Sequence, residues 1–544
     1  VSATDSVAEL RAAVQRAALA LRDGEPTGPA PTLDRPPKAE LGDYSSNAAM
    51  LLAAPLGEAP RDVAARLGAE LEAELGAEGS LDRVEVAGPG FVNLFLSDEW
   101  YRRAMARLGE AGESLGPAPT EDPQRILVEY VSANPTGPLH VGGGRHAAYG
   151  DSLVRLLKAI GHEVESEYYV NDAGGQVQRF AASISAAMTG DPVPEGGYEG
   201  EYIAELAERL RGEGIDPGDG GAIGRRGIEL ILEGVRSTLD RFGVHFDNWF
   251  SERGLYAGGE VDAALAELER RGHTYKTDGA LWLRSTEFGD DKDRVLVRGD
   301  GEPTYLAADV AYHRDKLGRG FGRLLNVLGA DHHGYAPRLR AAIAALGSDP
   351  DVLEALIMRL VHIVESGERA QMSKRSGDFV SLDELIDDIG VDAARWFMLW
   401  RSHDTTVDLD LELARRESSD NPVYYVQYAH ARIASILRKA GGEGGEAGAP
   451  TPGTPLAAAE RDLVKRLLEF PDEVREAAAR RTPHRICAYS TAVAADFHAF
   501  YRDCQVIGAE GEGVERSRLG LSRLAQRTIA AALGLLGISA PEQM

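Results

Sequence analysis

Ile126-Leu-Val-Glu-Tyr-Val131 is followed by Ser132-Ala-Asn-Pro-Thr-Gly-Pro-Leu-His-Val-Gly-Gly-Gly-Arg-His146, and then by Asp151 to Ile160 with apolar residues at 153, 154, 157 and 160. The first segment is a short apolar run of the kind that forms a strand buried on both faces. The last has helical spacing, and Gly161 stands where a helix is stopped. Val164 to Val170 supplies a second strand, so residues 126–170 read as strand, helix, strand. Such a βαβ unit needs a right-handed crossover, and the expected core is a doubly wound parallel sheet.

Three glycines between strand and helix raise the question of a ligand. Glycine lets a backbone approach closely, and a helix start offers amides to an anion. Gly142-x-Gly144-x-x-Ala147 fits the relaxed dinucleotide fingerprint, and Glu163, Glu165 and Glu167 lie near the distance of a ribose-binding acid. Against this, Asn134 to His140 is a long Pro-rich connection where the fingerprint wants its first glycine directly after the strand. The P-loop pattern fails, since no Gly-Lys-Ser/Thr follows. Pro138 and His140 stand where a nucleotide loop offers only backbone, which suggests a side chain aimed at the ligand.

A second tract, Gln371-Met-Ser-Lys-Arg-Ser-Gly377, follows an expected hairpin around Glu365-Ser-Gly-Glu-Arg369 and precedes Ser381-Leu-Asp-Glu384, a capping box. A loop carrying Lys374 and Arg375 suits a triphosphate, whose charge shifts during transfer. By itself it reads more readily as a solvated basic loop.

With 544 residues, 43% hydrophobic and 27% charged, the composition is globular, with room for three or four domains. No apolar run approaches the roughly 18 residues of a membrane helix, and Val1-Ser-Ala-Thr-Asp-Ser6 lacks a basic-then-apolar signal, so a soluble cytoplasmic protein is expected. Cys487 and Cys504 read as two core thiols. A net charge of −27 argues against nonspecific coating of nucleic acid. From Asn421 onward acids and bases nearly balance, so a polyanion could dock on basic patches there.

The organisation reads as three modules. Residues 1–116 combine an amphipathic helix, a Pro-rich connector and a strand pair broken by Gly88-Pro-Gly90, an α+β domain closed by the linker Gly116 to Pro123. Residues 117–410 hold the parallel-sheet domain, with a mainly helical insertion at 177–272 and α/β patterns resuming at Ala280-Leu-Trp-Leu283, Arg294-Val-Leu-Val297, Arg323 to Leu328 and Ile357 to Val364. Residues 411–544 are helical throughout, apart from a Gly/Pro-rich loop at 441–455.

The loop and the lysine tract, in this order around a βαβ domain, resemble the HIGH and KMSKS signatures of class I aminoacyl-tRNA synthetases. Ser132 to Gly142, Tyr168-Tyr-Val-Asn-Asp-Ala-Gly174, Asp278 to Thr286, Asp291-Lys-Asp-Arg-Val-Leu296, Thr304 to His313, Gly329-Ala-Asp-His-His-Gly334 and Asn421 to Arg432 look like the arginyl-tRNA synthetases, a resemblance running from about Gly42 to Met544. It implies a multidomain α/β protein: an N-terminal α+β domain for the tRNA elbow, a Rossmann-like catalytic domain and a C-terminal all-α anticodon-binding bundle. The implied activity ligates L-arginine to tRNA(Arg) through an arginyl-adenylate, with ATP and Mg2+ as substrate complex, no tightly bound cofactor or metal, no membrane, and a monomer.

By the same resemblance His140, Lys374 and Arg375 are catalytic, and ATP meets His140, Gly142, Gly143, Gly144, Gly329, Asp331, Met372 and Lys374. Arginine is assigned to Glu129, Ser132, Asn134, His140, Tyr305, Asp309 and His332. A guanidinium demands oriented carboxylates. Tyr305 and Asp309, four apart on a helix, share a face, with Asp309 the first choice for it. Transfer RNA is assigned to Tyr425, Arg432, Arg485 and Met544. Tyr424, Tyr425 and Tyr428 could stack bases, although their helical spacing favours a core stripe.

Two signatures depart from the family. The second histidine of the first motif is Gly143, and the lysine tract begins with Gln371 and has Arg375 where serine is usual. Arg375 is expected to share pyrophosphate charge, and His146 is a weaker candidate to replace the missing histidine. Two rival readings stand beside the synthetase. An oxidoreductase would leave the lysine tract and C-terminal helices without purpose, and a non-catalytic tRNA-binding paralogue would have lost Asn134, His140, Tyr305, Asp309 and Lys374.

Overall fold

The computed structural model describes residues 6–22, 24, 29–112, 115–330, 334–369, 380–441, 455–511 and 513–544. Near the N-terminus, helix α1 (Ser6–Ala20) precedes strands β1 (Leu33–Asp34) and β2 (Tyr44–Ser46) and helices α2 (Ala48–Leu56) and α3 (Pro60–Ala77). Strands β3 (Leu81–Ala87) and β4 (Phe91–Leu96) and helix α4 (Asp98–Glu110) follow. The four strands form an antiparallel sheet in the order β1-β2-β4-β3. Leu10 and Val14 of α1, Leu67 and Leu71 of α3, and Val92 and Leu94 of β4 are buried in its core.

The second unit opens with β5 (Arg125–Glu129), α5 (Val141–Ala159) and β6 (Glu163–Val170), the expected βαβ. Helices α6 (Gly175–Thr189), α7 (Glu201–Gly212) and α8 (Gly220–Arg241) lead to β7 (Asn248–Ser251), α9 (Glu252–Ala257) and α10 (Glu260–Arg270). Strand β7 pairs in parallel with β6, so the stretch read as an insertion contributes an edge of the main sheet. Four residues, Asn-Trp-Phe-Ser, carry too little alternation to be read as a strand. Strands β9 (Ala280–Leu283) and β10 (Arg294–Val297) were expected to resume the α/β pattern, but with β8 (Thr274–Thr277) they form a separate antiparallel sheet.

Helix α11 (Tyr305–Gly318), β11 (Arg323–Gly329), α12 (Tyr335–Ala345) and β12 (Leu353–Met358) complete the five-stranded parallel sheet, in the order β12-β11-β5-β6-β7. The chain runs outward from β5 to β7 on one side and from β11 to β12 on the other. The topological switch therefore lies between β5 and β11, where such sheets bind ligands beyond their carboxyl ends.

A smaller sheet joins β13 (Val361–Glu365) to β14 (Glu368–Arg369) and, past α13 (Leu382–Leu399), to β15 (Val407–Asp410). After the single turn α14 (Leu411–Ala414) come α15 (Pro422–Lys439), α16 (Ala458–Leu468), α17 (Phe470–Ala479), α18 (His484–Asp503) and α19 (Val514–Leu535). In this helical bundle α18 packs against α15, α16, α17 and α19. Cys487 and Cys504 are buried as free thiols. The N-terminal unit rests on the bundle through Lys465–Asp43 (2.9 Å) and Arg461–Asp98 (2.8 Å). Among the described residues no helix is long and apolar enough to cross a membrane.

Candidate active site

The chain leaves β5 through two consecutive left-handed residues, Val131 (φ 66°) and Ser132 (φ 40°). A β-branched residue there is costly, by about 1–3 kcal/mol, and persists only where its surroundings enforce it. Here the enforcement comes from β6. Ser132 Oγ donates to Glu129 Oε1 (3.2 Å) and accepts from the Tyr169 amide (3.1 Å), while the Tyr168 hydroxyl donates to the Ala133 carbonyl (3.0 Å). Further along, Asn134 Oδ1 accepts from Asn171 Nδ2 (3.1 Å).

Three carboxylates gather beyond this turn. Glu129 Oε2 accepts from Lys316 Nζ at 2.5 Å, and the fully buried ammonium lies 4.1 Å from the Tyr312 ring centroid. Glu129, expected as the second carboxylate of the arginine site, therefore already carries a cation of its own.

Asp309 on α11 is different. It is half-buried, and its Oδ2 is shut off from solvent with no hydrogen-bond partner among the described residues. Burial, then the charges of Glu129 and Glu252, push its pKa up to about 8. Glu252, at the start of α9, is 3% exposed, and its Oε2 is likewise unpartnered among the described residues. Burial, then Asp172, raises its pKa to about 7. Asp172 in turn fixes the start of α9, accepting from Ser251 Oγ (2.7 Å) and the Arg253 amide (2.8 Å). Sequence reasoning gave Glu252 no role; the available signal was a carboxylate following the end of β7, as Glu129 ends β5. Tyr305, 53% exposed, opens α11 one turn before Asp309.

At the switch point, His140 caps α5, its Nδ1 accepting from the Gly143 amide (3.3 Å) while its carbonyl accepts from the Gly144 amide (3.1 Å). Two of the three glycine amides expected to face phosphate are thus engaged within the first turn. A Cβ on Gly143 would collide with Leu139, and one on Gly144 would fall 2.7 Å from Leu382 Cδ1. Both glycines are buried, so close side-chain packing is by itself a reason for glycine here, beside the expected one that they admit a nucleotide. Gly142 remains half-buried beside the His140 ring.

Leu139 is itself 2% exposed and has no room to yield. Gly143→Ala should therefore destabilise the fold by about 1–3 kcal/mol, the range for overpacking a core, read as a shift in the urea midpoint. An unchanged midpoint would contradict the packing argument.

Gln371, Met372, Lys374, Arg375, Asp331 and His332 lie outside the described residues. Both flanks of the lysine tract are placed, however. β14 ends before it, and after it the Val380 carbonyl accepts from the Val141 amide (3.3 Å) while the Leu382 amide donates to the Leu139 carbonyl (2.8 Å). The capping box at Ser381 and Glu384 forms as expected. Gly329 closes β11, the strand beside β5. Arg145, unmarked by sequence reasoning, is buried and donates to the carbonyls of Arg359 (2.6 Å), Ser402 (2.9 Å) and Thr405 (2.8 Å), tying α5 to the chain around β13. Burial lowers its pKa to about 10. His146 is half-buried on the same helix.

In the bundle, Tyr424, Tyr425, Tyr428, Arg432, His498 and Tyr501 line a cavity of about 700 Å³. Tyr424 and Tyr428 stack at 6.3 Å, and the Arg432 guanidinium lies 4.5 Å from the Tyr501 ring centroid. The core-stripe expectation holds only in part: Val423, Val426, Ala429 and Ile433 take the core positions of α15, Tyr425 packs half-buried against that core, and Tyr424 and Tyr428 lie outside it. Arg485 does not line this cavity; it donates through Nε and Nη2 to Glu473, at 3.1 Å each. Met544 is 53% exposed at the end of the chain.

Three domain families match the chain. Residues 8–96 match the arginyl tRNA synthetase N terminal domain, residues 110–191 and 225–416 the class I (R) tRNA synthetase catalytic domain, and residues 426–544 the DALR anticodon binding domain. The arginine–tRNA ligase of Bacillus subtilis is 44% identical over 549 residues, and that of Bacillus licheniformis 45% identical over 553, each with 98% of both chains covered. The chain belongs to the arginyl-tRNA synthetase family. The solved arginyl-tRNA synthetase of Thermus thermophilus superposes with a TM-score of 0.75 at 26% identity, covering 98% of this chain and 99% of that one. The synthetase is accordingly a class I ligase that joins arginine to tRNA in protein synthesis. The oxidoreductase reading of its glycines falls away.

Proposed function

We propose that the guanidinium of L-arginine is taken by Asp309 and Glu252, with Glu129 held by Lys316 as a fixed third acceptor and Tyr305, Ser132 and Asn134 around the rest of the amino acid. The observation that carries this reading is the enclosed Asp309 Oδ2, unpartnered among the described residues, since such an oxygen is costly unless a charged donor meets it. ATP lies along the start of α5, with His140 turned toward phosphate and Lys374 and Arg375 supplied by the tract that returns beside Val141. His332, Asp331, Met372 and Gly329 complete the contacts of the two substrates. Mg2+ accompanies ATP and supplies charge neutralisation.

In the first step the arginine carboxylate attacks the α-phosphorus and pyrophosphate leaves. In the second the terminal hydroxyl of tRNA attacks the adenylate carbonyl, and AMP leaves. The attacking carboxylate is already ionised, so the first step needs no general base and rests on positioning and charge stabilisation. The cavity on α15 takes anticodon bases on Tyr425 and its neighbours with Arg432, and Met544, at the end of the segment held on the other side of α15, adds a tRNA contact. Residues 1–116 serve the tRNA elbow, 117–410 the chemistry and 411–544 the anticodon, in a cytoplasmic monomer.

The raised carboxyls give a test. At pH 7 the empty pocket holds protons that a bound guanidinium must displace, because its partners have to ionise. Arginine binding should therefore release protons near pH 7 and tighten between pH 6 and 8, read by calorimetry in buffers of different ionisation enthalpy. Binding that is proton-neutral at pH 7 would contradict the assignment. For the empty protein the sign is opposite: the unfolded chain releases these protons near pH 4, so the groups erode stability as pH rises from about 4 to about 8.

A further inference from the structure

Helix α15 is two-sided. One side gives Tyr424, Tyr428 and Arg432 to the cavity. The other holds the chain end: buried Gln427 donates through Nε2 to Asp392 Oδ2 (2.7 Å) and to the Ser539 carbonyl (2.9 Å), and His430 Nδ1 lies 2.8 Å from the Pro541 carbonyl. Asp392 also accepts from the Ser539 amide at 3.0 Å and from its hydroxyl.

Asp392 stands two residues beyond Gly390, whose φ of 77° and ψ of 160° break α13 into two halves. The first half starts at the flank of the lysine tract, with Leu382 pressed on Gly144. The second carries Arg395, fully buried, which donates to the carbonyls of Leu536 (2.8 Å) and Phe242 (3.0 Å) and to Asp151 Oδ2 on α5 (2.5 Å). Ser152 Oγ on α5 reaches the same Leu536 carbonyl at 3.4 Å. The Arg395–Asp151 pair ties the second half of α13 to α5, and the break at Gly390 is where that half can turn against the first.

We propose that the segment Leu536–Met544 is a positioning strap, anchored at Asp392, through which occupancy of the α15 cavity sets the placement of α13 and α5 at the adenylation site. The proposal rests on reading that cavity as the anticodon site. Asp392, Gln427 and Ser539 touch no substrate; they act through α13.

The experiment compares kcat for charging a full tRNA(Arg) transcript and the same transcript with its anticodon bases replaced. The unsubstituted enzyme should show a kcat ratio of at least about fivefold, the lower end of typical coupling. In Asp392→Ala the ratio should collapse to below about twofold while the difference in KM between the two RNAs persists. Ser539→Ala, at an exposed position that leaves the fold intact, should shift the ratio in the same direction. A ratio retained in both variants, with both RNAs slowed equally, would show a merely structural role and overturn the strap. A Tyr428→Ala enzyme distinguishes the two levels: an unchanged KM for the full transcript overturns the cavity reading and the strap with it, whereas a raised KM alongside a retained ratio overturns the strap alone.

Discussion

Asp309→Asn should lower kcat/KM for arginine by about 30-fold to several thousandfold, while leaving the folded protein as stable as before or more so. The first figure follows from about 2–5 kcal/mol for removing one partner of a buried, hydrogen-bonded charge pair. The second follows from the empty site, where burial and two neighbouring carboxylates already hold the Asp309 carboxyl above its ordinary range. An amide of the same shape relieves that repulsion, the usual relation between a binding site and the stability it costs. Charging kinetics and a urea melt of one preparation test both halves. A KM for arginine within about threefold of the unsubstituted enzyme, against the range argued here, would remove Asp309 from the guanidinium site.

Lys316→Met should cost about 3–5 kcal/mol of stability, the range for stranding one member of a buried ion pair. Glu129, 8% exposed, would lose its 2.5 Å donor, and the methionine would keep the aliphatic packing but not the contact with Tyr312. The Ser132 turn leans on the same carboxylate, so arginine affinity should fall as well. Adding Glu129→Gln should restore much of the stability, because the amide needs no counter-charge. A double variant no more stable than Lys316→Met alone would show that the pair is not the source of the loss.

The βαβ unit was legible because a short apolar run, a helical stripe and a closing glycine are local signals. Which strands pair is not local. β9 and β10 carry strand patterns indistinguishable from those of a parallel sheet, and β7 is too short to announce itself, so the first two were misplaced and the third missed until the tertiary register fixed them. In the site, the shared face of Tyr305 and Asp309 followed from helical spacing, and their assignment to arginine from the family resemblance. Lys316 lies seven residues past Asp309, two turns along the same face, so its proximity was available to the same reasoning but its charge was not weighed. Glu252 had a weak signal, a carboxylate following the end of β7, but β7 itself was not read as a strand and the burial beside Asp172 is not local. The glycines are ambiguous for a related reason: a sequence shows that a side chain is missing, not whether a ligand, Leu139 or both require its absence. Tyr424 and Tyr428 of α15 show the converse, aromatic residues at helical spacing that lie outside the core because Val423, Val426 and Ile433 already fill the inward positions.

Charge recognition of the guanidinium by Asp309 is the central claim, and citrulline, the uncharged isostere of arginine, tests it most directly. Competition between the two amino acids in tRNA charging gives the ratio of their kcat/KM values. The unsubstituted enzyme should prefer arginine by about 10³-fold or more, and Asp309→Asn should narrow that preference to within about tenfold, because the amide meets a urea as well as a guanidinium. A preference for arginine that survives the substitution undiminished would contradict the account.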